Sequence, residues 1–266
     1  MEPLTISDLF VMLVEPSGIQ SRIICQRLEE AGAIKPLWKK NGAGALEAMP
    51  EAGPDLVISA MHLEDMTGAE LVRTMREDPA LADIPFMLIS SETDEQYLDP
   101  IRQAGAIALL PKPFAPEDLK RALYATLDYM APNTQLLAEL DLANVKTLVV
   151  DDSFTARRHI TRVLNNIGIE NITQAENGKE AIEFLQSDYF DLLVTDYNMP
   201  ELDGRELVKY VRDASTQCSI PIMMVTSETD ESRLTAVRQS GVSAICDKPF
   251  ETASVQALLR QLLADA

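Results

Sequence analysis

Thr147-Leu148-Val149-Val150-Asp151-Asp152 is a short apolar run that stops on two adjacent carboxylates. Two later runs have the same form: Asp191-Leu192-Leu193-Val194-Thr195 closes on Asp196, and Pro221-Ile222-Met223-Met224-Val225 closes on Thr226. Continuous apolar runs of this length, bounded by polar residues, suit strands covered on both faces in a parallel sheet. Between them the apolar positions change to helical spacing. Examples are Ile160, Val163, Leu164 and Ile167; Ala181, Ile182 and Leu185; Leu207, Val208 and Val211; Leu234 and Val237; and Val255, Leu258, Leu259 and Leu262. Strand alternates with helix five times, which predicts an α/β doubly wound domain of the flavodoxin-like (βα)5 kind, with a parallel sheet in the order 2-1-3-4-5.

The run has a twin. Residues 12–114, moved forward by 136, fall on 148–250 without a gap, and about a third of the paired positions are identical. The identities include Ser91-Glu92-Thr93-Asp94-Glu95 with Ser227-Glu228-Thr229-Asp230-Glu231, and Lys112-Pro113-Phe114 with Lys248-Pro249-Phe250. The chain is therefore a duplication, with one domain over 1–130, a linker over 131–145 and a second domain over 146–266. In the linker, Ala131-Pro132-Asn133-Thr134 interrupts a helix that begins near Pro116. Leu136, Leu137 and Leu140 then return at helical spacing and are expected to pack on one or both domains, restraining the pair.

Composition removes several function classes. The net charge is −19, shared almost evenly: 11 Lys+Arg against 21 Asp+Glu in 1–131, and 12 against 21 in 132–266. Nucleic-acid binding draws chiefly on phosphate neutralisation by Lys and Arg, so direct DNA or RNA contact is disfavoured, as is a negative membrane surface. Cys25, Cys218 and Cys246 are too few and scattered for a disulfide framework or a Cys-x-x-Cys metal site, and read as reduced, mostly buried thiols. With no charged-then-apolar leader and no uncharged apolar segment of about 18 residues, the chain is expected to stay in the cytoplasm.

In a parallel α/β sheet the chemistry sits beyond the carboxyl ends of the strands, near the switch in strand order. Asp151, Asp152, Asp196, Thr226 and Lys248 all stand at or just past a predicted strand end. Two unit charges about 4 Å apart interact by roughly 4 kcal/mol at an effective dielectric of 20, so three converging carboxylates should recruit a hard cation. Mg²⁺ fits, because it favours oxygen ligands and keeps waters that a phosphate can replace. Asp196 is then placed to attack a phosphoryl group and become an aspartyl phosphate, with Lys248 stabilising the transferring group and Thr226 donating to it once attached. Taken singly, each has a plainer reading: Asp152 as the N-cap of a helix near Phe154, Thr226 as a strand end, Lys248 as a solvated charge. Five residues in five strand-end slots favour the joint reading.

These motifs carry a resemblance. Asp151-Asp152, Asp196-Tyr197-Asn198-Met199-Pro200, Asp203-Gly204, Thr226-Ser227 and Lys248-Pro249-Phe250 make residues 146–264 similar to a receiver domain of the bacterial two-component response regulators. The start of that segment, residues 148–158, is similar to the chemotaxis regulators of the same family. The resemblance implies phosphotransfer from a histidine kinase or phosphotransfer protein to Asp196. It also implies Mg²⁺ on Asp152, Asp196 and the Asn198 backbone carbonyl, with Asp151 orienting the site as part of the acidic set, and a cis bond between Lys248 and Pro249. Asn198 and Glu228 occupy the positions that tune the lifetime of the phosphate, which is expected to be short. Ile245 stands where many members carry an inward-turning Tyr or Phe, a departure from the usual Thr-to-aromatic switch.

The first copy keeps Ser90 and Lys112 but has Ala60 at the acceptor slot and Glu15-Pro16 at the acidic pair. A methyl group cannot attack phosphorus, so this half resembles a degenerate receiver. His62 and His159 read as a loop and a helix-face histidine, and Trp38 as a residue packed at the core edge. The leading reading is a two-receiver regulator without a covalent output domain, signalling to a downstream protein target, with the first domain as a docking or homodimerisation surface. The alternative is the receiver portion of a larger regulator whose output enzyme, such as a cyclic-dinucleotide synthase or phosphatase, lies beyond Ala266. Against it, the last helical segment runs directly into 262–266. A phosphohydrolase or a flavin carrier on this fold is disfavoured by Asn198, where a second catalytic Asp would stand, and by the lack of a Ser/Thr-rich phosphate loop.

Overall fold

The structure is a computed structural model that describes residues 4–92, 94–132, 137, 141–226, 241–248, 250 and 252–264. The chain divides into two compact units, Met1–Ala131 and Pro132–Ala266. The first runs β1 (Val11–Val14), α1 (Gly18–Glu30), β2 (Leu37–Lys39), α2 (Gly42–Ala52), β3 (Leu56–Ala60), α3 (Gly68–Glu77), β4 (Phe86–Ser90), α4 (Glu95–Gln103), β5 (Ala108–Pro111) and α5 (Pro116–Met130). The second runs β6 (Thr147–Val150), α6 (Phe154–Asn166), β7 (Ile172–Ala175), α7 (Gly178–Ser187), β8 (Leu192–Asp196), α8 (Gly204–Ala214), β9 (Ile222–Thr226), β10 (Ala244–Asp247) and α9 (Thr252–Ala264). The helical spacing read at Leu234 and Val237 lies outside the described residues, as do Leu136 and Leu140; Leu137 is buried.

Each unit holds one five-stranded parallel sheet, ordered β2-β1-β3-β4-β5 in the first and β7-β6-β8-β9-β10 in the second, which is the expected 2-1-3-4-5 order twice. Every residue of β1, β3, β4, β6, β8 and β9 is buried, whereas the edge strands β2 and β7 are only partly so. That contrast explains why the central strands read as unbroken apolar runs: helices cover both faces. One core gathers Met12, Val14, Met49, Val57, Leu71, Met75, Phe86 and Leu88; its counterpart gathers Leu148, Val150, Leu185, Leu193, Leu207, Val211, Ile222 and Met224.

The local signals that start the helices are duplicated as well. Ser17 and Ser153 cap α1 and α6, Asn41 and Asn177 cap α2 and α7, and Thr67 and Asp203 open α3 and α8 in capping boxes with Glu70 and Glu206. Ser153, and not Asp152, is thus the N-cap of α6, which leaves the Asp152 carboxylate outside the helix. Gly204 has a steric reason to lack a side chain: a Cβ there would stand 2.1 Å from the Asp196 carbonyl oxygen, and one at Gly68 would stand 2.8 Å from that of Ala60. Both glycines let a helix start against the end of the third strand of its sheet.

Some expectations need adjustment. Cys246 is buried, but Cys25 is only half-buried and Cys218 is exposed. Cys218 sits in the turn ahead of β9, where the Arg212 guanidinium takes its carbonyl and leaves the thiol to water. Trp38 is about half-exposed and donates its indole N–H to the Glu15 carbonyl at 2.8 Å. The bond between Lys112 and Pro113 is cis; the matching expectation at Lys248 falls on Pro249, outside the described residues. Among the described residues no helix is long and apolar enough to cross a membrane.

Candidate functional site

The carboxyl ends of β6, β8, β9 and β10 bring Asp151, Asp152, Asp196, Thr226 and Lys248 together. Parallel pairing sets the register: β8 lies between β6 and β9, with Asp196 beside Val225, and β10 lies on the far side of β9, with Asp247 beside Thr226. The Lys248 N–H donates to the Thr226 carbonyl at 2.8 Å, extending the ladder by one residue and holding the lysine over the pocket. Its ammonium then reaches two acids, Asp151 Oδ2 at 3.2 Å and Asp196 Oδ1 at 3.0 Å. Asp151, Asp196, Thr226 and Lys248 are buried, while Asp152 is exposed at the rim.

The two buried acids differ in how their oxygens are used. Asp151 accepts from Lys248 on one oxygen and from the Ser153 N–H at 2.8 Å on the other. Asp196 accepts from Lys248 on Oδ1, but its buried Oδ2 accepts no hydrogen bond from any described residue. A buried acceptor left unmade costs desolvation that nothing returns, so this oxygen calls for a ligand. Oxygens of Asp151, Asp152 and Asp196 lie within 4.8 Å of one another. An all-carboxylate donor set with one orphaned oxygen and one exposed member fits a hard divalent cation such as Mg²⁺.

Burial pushes the Asp196 carboxyl up to about 6, with the nearby Asp151 charge adding to the rise and Lys248 opposing it. Burial raises Asp151 too, against the pull of Lys248. Burial alone would depress Lys248, but the Asp151 and Asp196 charges hold it above its ordinary value. The sign for stability follows. Asp196 binds a proton more readily folded than unfolded, so its contribution is fully present below 3.8 and is lost as pH rises toward 6. In Mg²⁺-free buffer at neutral pH, Asp196→Asn is therefore expected to be more stable than the parent by on the order of 2 kcal/mol, because the amide carries no buried charge. The advantage should close as pH falls through this window; urea unfolding of both proteins across it checks the trend.

Three expected modulating positions are placed unevenly. Asn198 is exposed just past β8, and Ile245 is half-buried on β10, packed against the second core. Glu228 lies outside the described residues. His62 is exposed and His159 is half-buried on α6.

In the first unit the equivalent slots hold a closed ion pair. Glu15, buried, accepts from the Ser17 N–H at 3.0 Å on one oxygen and from Lys112 Nζ at 3.1 Å on the other. Ala60 ends β3 with a methyl group where Asp196 ends β8, and the Ser90 hydroxyl accepts from the Glu92 N–H at 2.9 Å. One anion meets one cation: among the described residues Glu15 is the carboxylate that pairs with Lys112.

Arg157 was missed by sequence reasoning. It is buried on α6 and donates to the Asp151 carbonyl at 2.7 Å, to the Asp152 carbonyl at 3.3 Å and to Glu176 at 2.8 Å. The signal existed: Arg157 sits in phase with Ile160 and Leu164, so a charged residue falls on the buried face of a helix, where only a paired one is tolerated.

The family described as the response regulator receiver domain matches residues 11–124 and 147–260. Chemotaxis protein CheY-3 of Vibrio cholerae is 34% identical over 119 residues, which are 45% of this chain and 92% of that protein. Chemotaxis protein CheY1 of Helicobacter pylori is 43% identical over 107 residues, 40% of this chain and 86% of that protein. Among solved structures, the chemotaxis response regulator CheY4 of Vibrio cholerae is 33% identical, covers 44% of this chain and 98% of its own, and superposes with a TM-score of 0.41.

Proposed function

The chain belongs to the response regulator receiver family, carrying two such domains in tandem, and from that premise we propose that the second unit accepts a phosphoryl group on Asp196 while the first accepts none. Receiver domains are signalling modules that work with histidine kinases or phosphotransfer proteins and with downstream targets. The observation that carries the reading is the contrast at one slot: a buried carboxylate with an unpartnered oxygen at Asp196, and a methyl group at Ala60.

The proposed step is a displacement at phosphorus. An oxygen of Asp196 forms the new bond while the bond from phosphorus to the donor's imidazole nitrogen breaks, and that nitrogen keeps the electron pair. Lys248, already 3.0 Å from Asp196, moves from pairing a carboxylate to pairing the phosphoryl oxygens, and the Thr226 hydroxyl donates to one of them. Asp151, Asp152, Asp196 and the Asn198 carbonyl would hold Mg²⁺, which would supply charge neutralisation for the transferring oxygens. Asn198 and Glu228 set how readily water removes the phosphate. The first unit contributes a surface, for a protein partner or a second copy, to which the exposed Ile19, Ile23 and Trp38 on α1 and β2 lend apolar area.

Beryllofluoride, a stand-in for the aspartyl phosphoryl group, tests the division of labour. With Mg²⁺ the chain is expected to bind one equivalent, and a variant converted at Glu15→Asp, Pro16→Asp and Ala60→Asp is expected to bind two, as read by ¹⁹F NMR. Two equivalents on the unaltered chain would contradict the reading of the first unit.

A further inference from the structure

We infer that Arg157 is a positioning residue that sets the acidic turn for its cation, an inference that rests on the proposed role of Asp151 and Asp152. The guanidinium lies at the turn between β6 and α6, 4% exposed, and one of its nitrogens, Nη1, donates to both carbonyls of the acidic pair, at 2.7 and 3.3 Å. Glu176, at the end of β7, holds it from the other side. A guanidinium stays charged and presents its donors in a rigid fork, so Nη2 on Glu176 fixes Nη1 where it draws the two carbonyl oxygens to one side of the turn. The carboxylates of the same two residues are left to converge on Asp196.

The duplication supplies an internal comparison. Shifted by 136, Arg157 falls on Ser21, Glu176 on Lys40 and Gln174 on Trp38. The carbonyl of Glu15, in the Asp151 slot, still needs a donor, and there the neutral Trp38 indole supplies it at 2.8 Å. Ser21 turns back on its own helix, its hydroxyl donating to the Gly18 carbonyl at 3.1 Å. A turn with one buried acid and no acceptor is held by an indole; the turn that must bring two acids toward a third is held by a cation. The positive charge is thus placed where it offsets carboxylate repulsion without filling the pocket.

Calorimetric titration with Mg²⁺ alone tests this on the full chain. Arg157→Ser is expected to weaken the Mg²⁺ dissociation constant by about 10-fold or more, the usual effect of losing a group that orients metal ligands. Arg157→Lys, which keeps the charge but loses the second nitrogen that pairs with Glu176, should fall between Arg157→Ser and the parent. Phosphorylation by acetyl phosphate should need more Mg²⁺ in both variants yet reach the parental plateau at saturation. A folded Arg157→Ser protein with the parental dissociation constant overturns the inference, as does a lowered plateau without a change in Mg²⁺ affinity. Should Arg157→Ser lose its circular dichroism, Arg157→Lys decides: native spectrum with weakened binding supports the role, native spectrum with parental binding overturns it. A parent chain that binds no Mg²⁺ removes the reading of the site itself.

Discussion

Acetyl phosphate and Mg²⁺ are expected to add one phosphoryl group to the intact chain, labile to hydroxylamine, and none to Asp196→Ala. Intact-mass spectrometry at early times, before water removes the ester, reads both results. The effect is all or nothing because the chemistry needs an oxygen at one atom, and Ala60 shows within the same molecule what its absence leaves: a buried methyl beside an intact Glu15 and Lys112 pair. The Asp196 carboxyl, pushed up to about 6, adds a check, since below that pH the nucleophile is protonated and the rate at limiting Mg²⁺ should fall. Full labelling of Asp196→Ala, or two groups on the parent, would place the acceptor elsewhere.

Lys248→Met is expected to cost about 3–5 kcal/mol of stability at neutral pH without Mg²⁺, the usual cost of stranding a buried charge by deleting its partner. Lys248 is the cation that Asp151 and Asp196 share, at 3.2 and 3.0 Å, and its side chain is 4% exposed. Methionine fills its space but leaves two carboxylates facing each other. The loss should shrink as pH falls below about 6, where Asp196, raised by burial as Asp151 is, takes up a proton, and should shrink on adding Mg²⁺ if the cation restores charge balance. Urea unfolding at acid and neutral pH, with and without Mg²⁺, measures all three trends. A pH-independent loss would mean that packing, not charge, is what Lys248 supplies. The same substitution in the first unit, Lys112→Met, removes one pair with a half-exposed lysine and should cost less.

How far the sequence could be read varies with the range of the force involved. The strands were legible because burial on both faces writes continuous apolar runs, as in Val149 and Val150 or Met223 and Met224. The helix starts were legible because a cap acts over three residues, as with Ser153 and Ala156 or Asp203 and Glu206. Gly204 was marked by its motif, but its reason, a carbonyl 2.1 Å from where a Cβ would sit, needed the fold. Arg157 was passed over because its partners are a turn and a neighbouring strand, and nothing local says that a buried arginine faces carbonyls and not water.

By itself the sequence determined that one fold is used twice and which copy carries three acids. Those facts reside in periodicity and in residue type at strand ends, both of which survive in one dimension. Only the tertiary structure decided that Lys248 bridges two carboxylates, one of them 97 residues away, that Asp196 keeps an oxygen without a partner, and that Glu15 closes the other site on Lys112. The reason is that side-chain pairing and desolvation depend on distance through space, and parallel crossovers bring together strand ends that the chain itself keeps far apart.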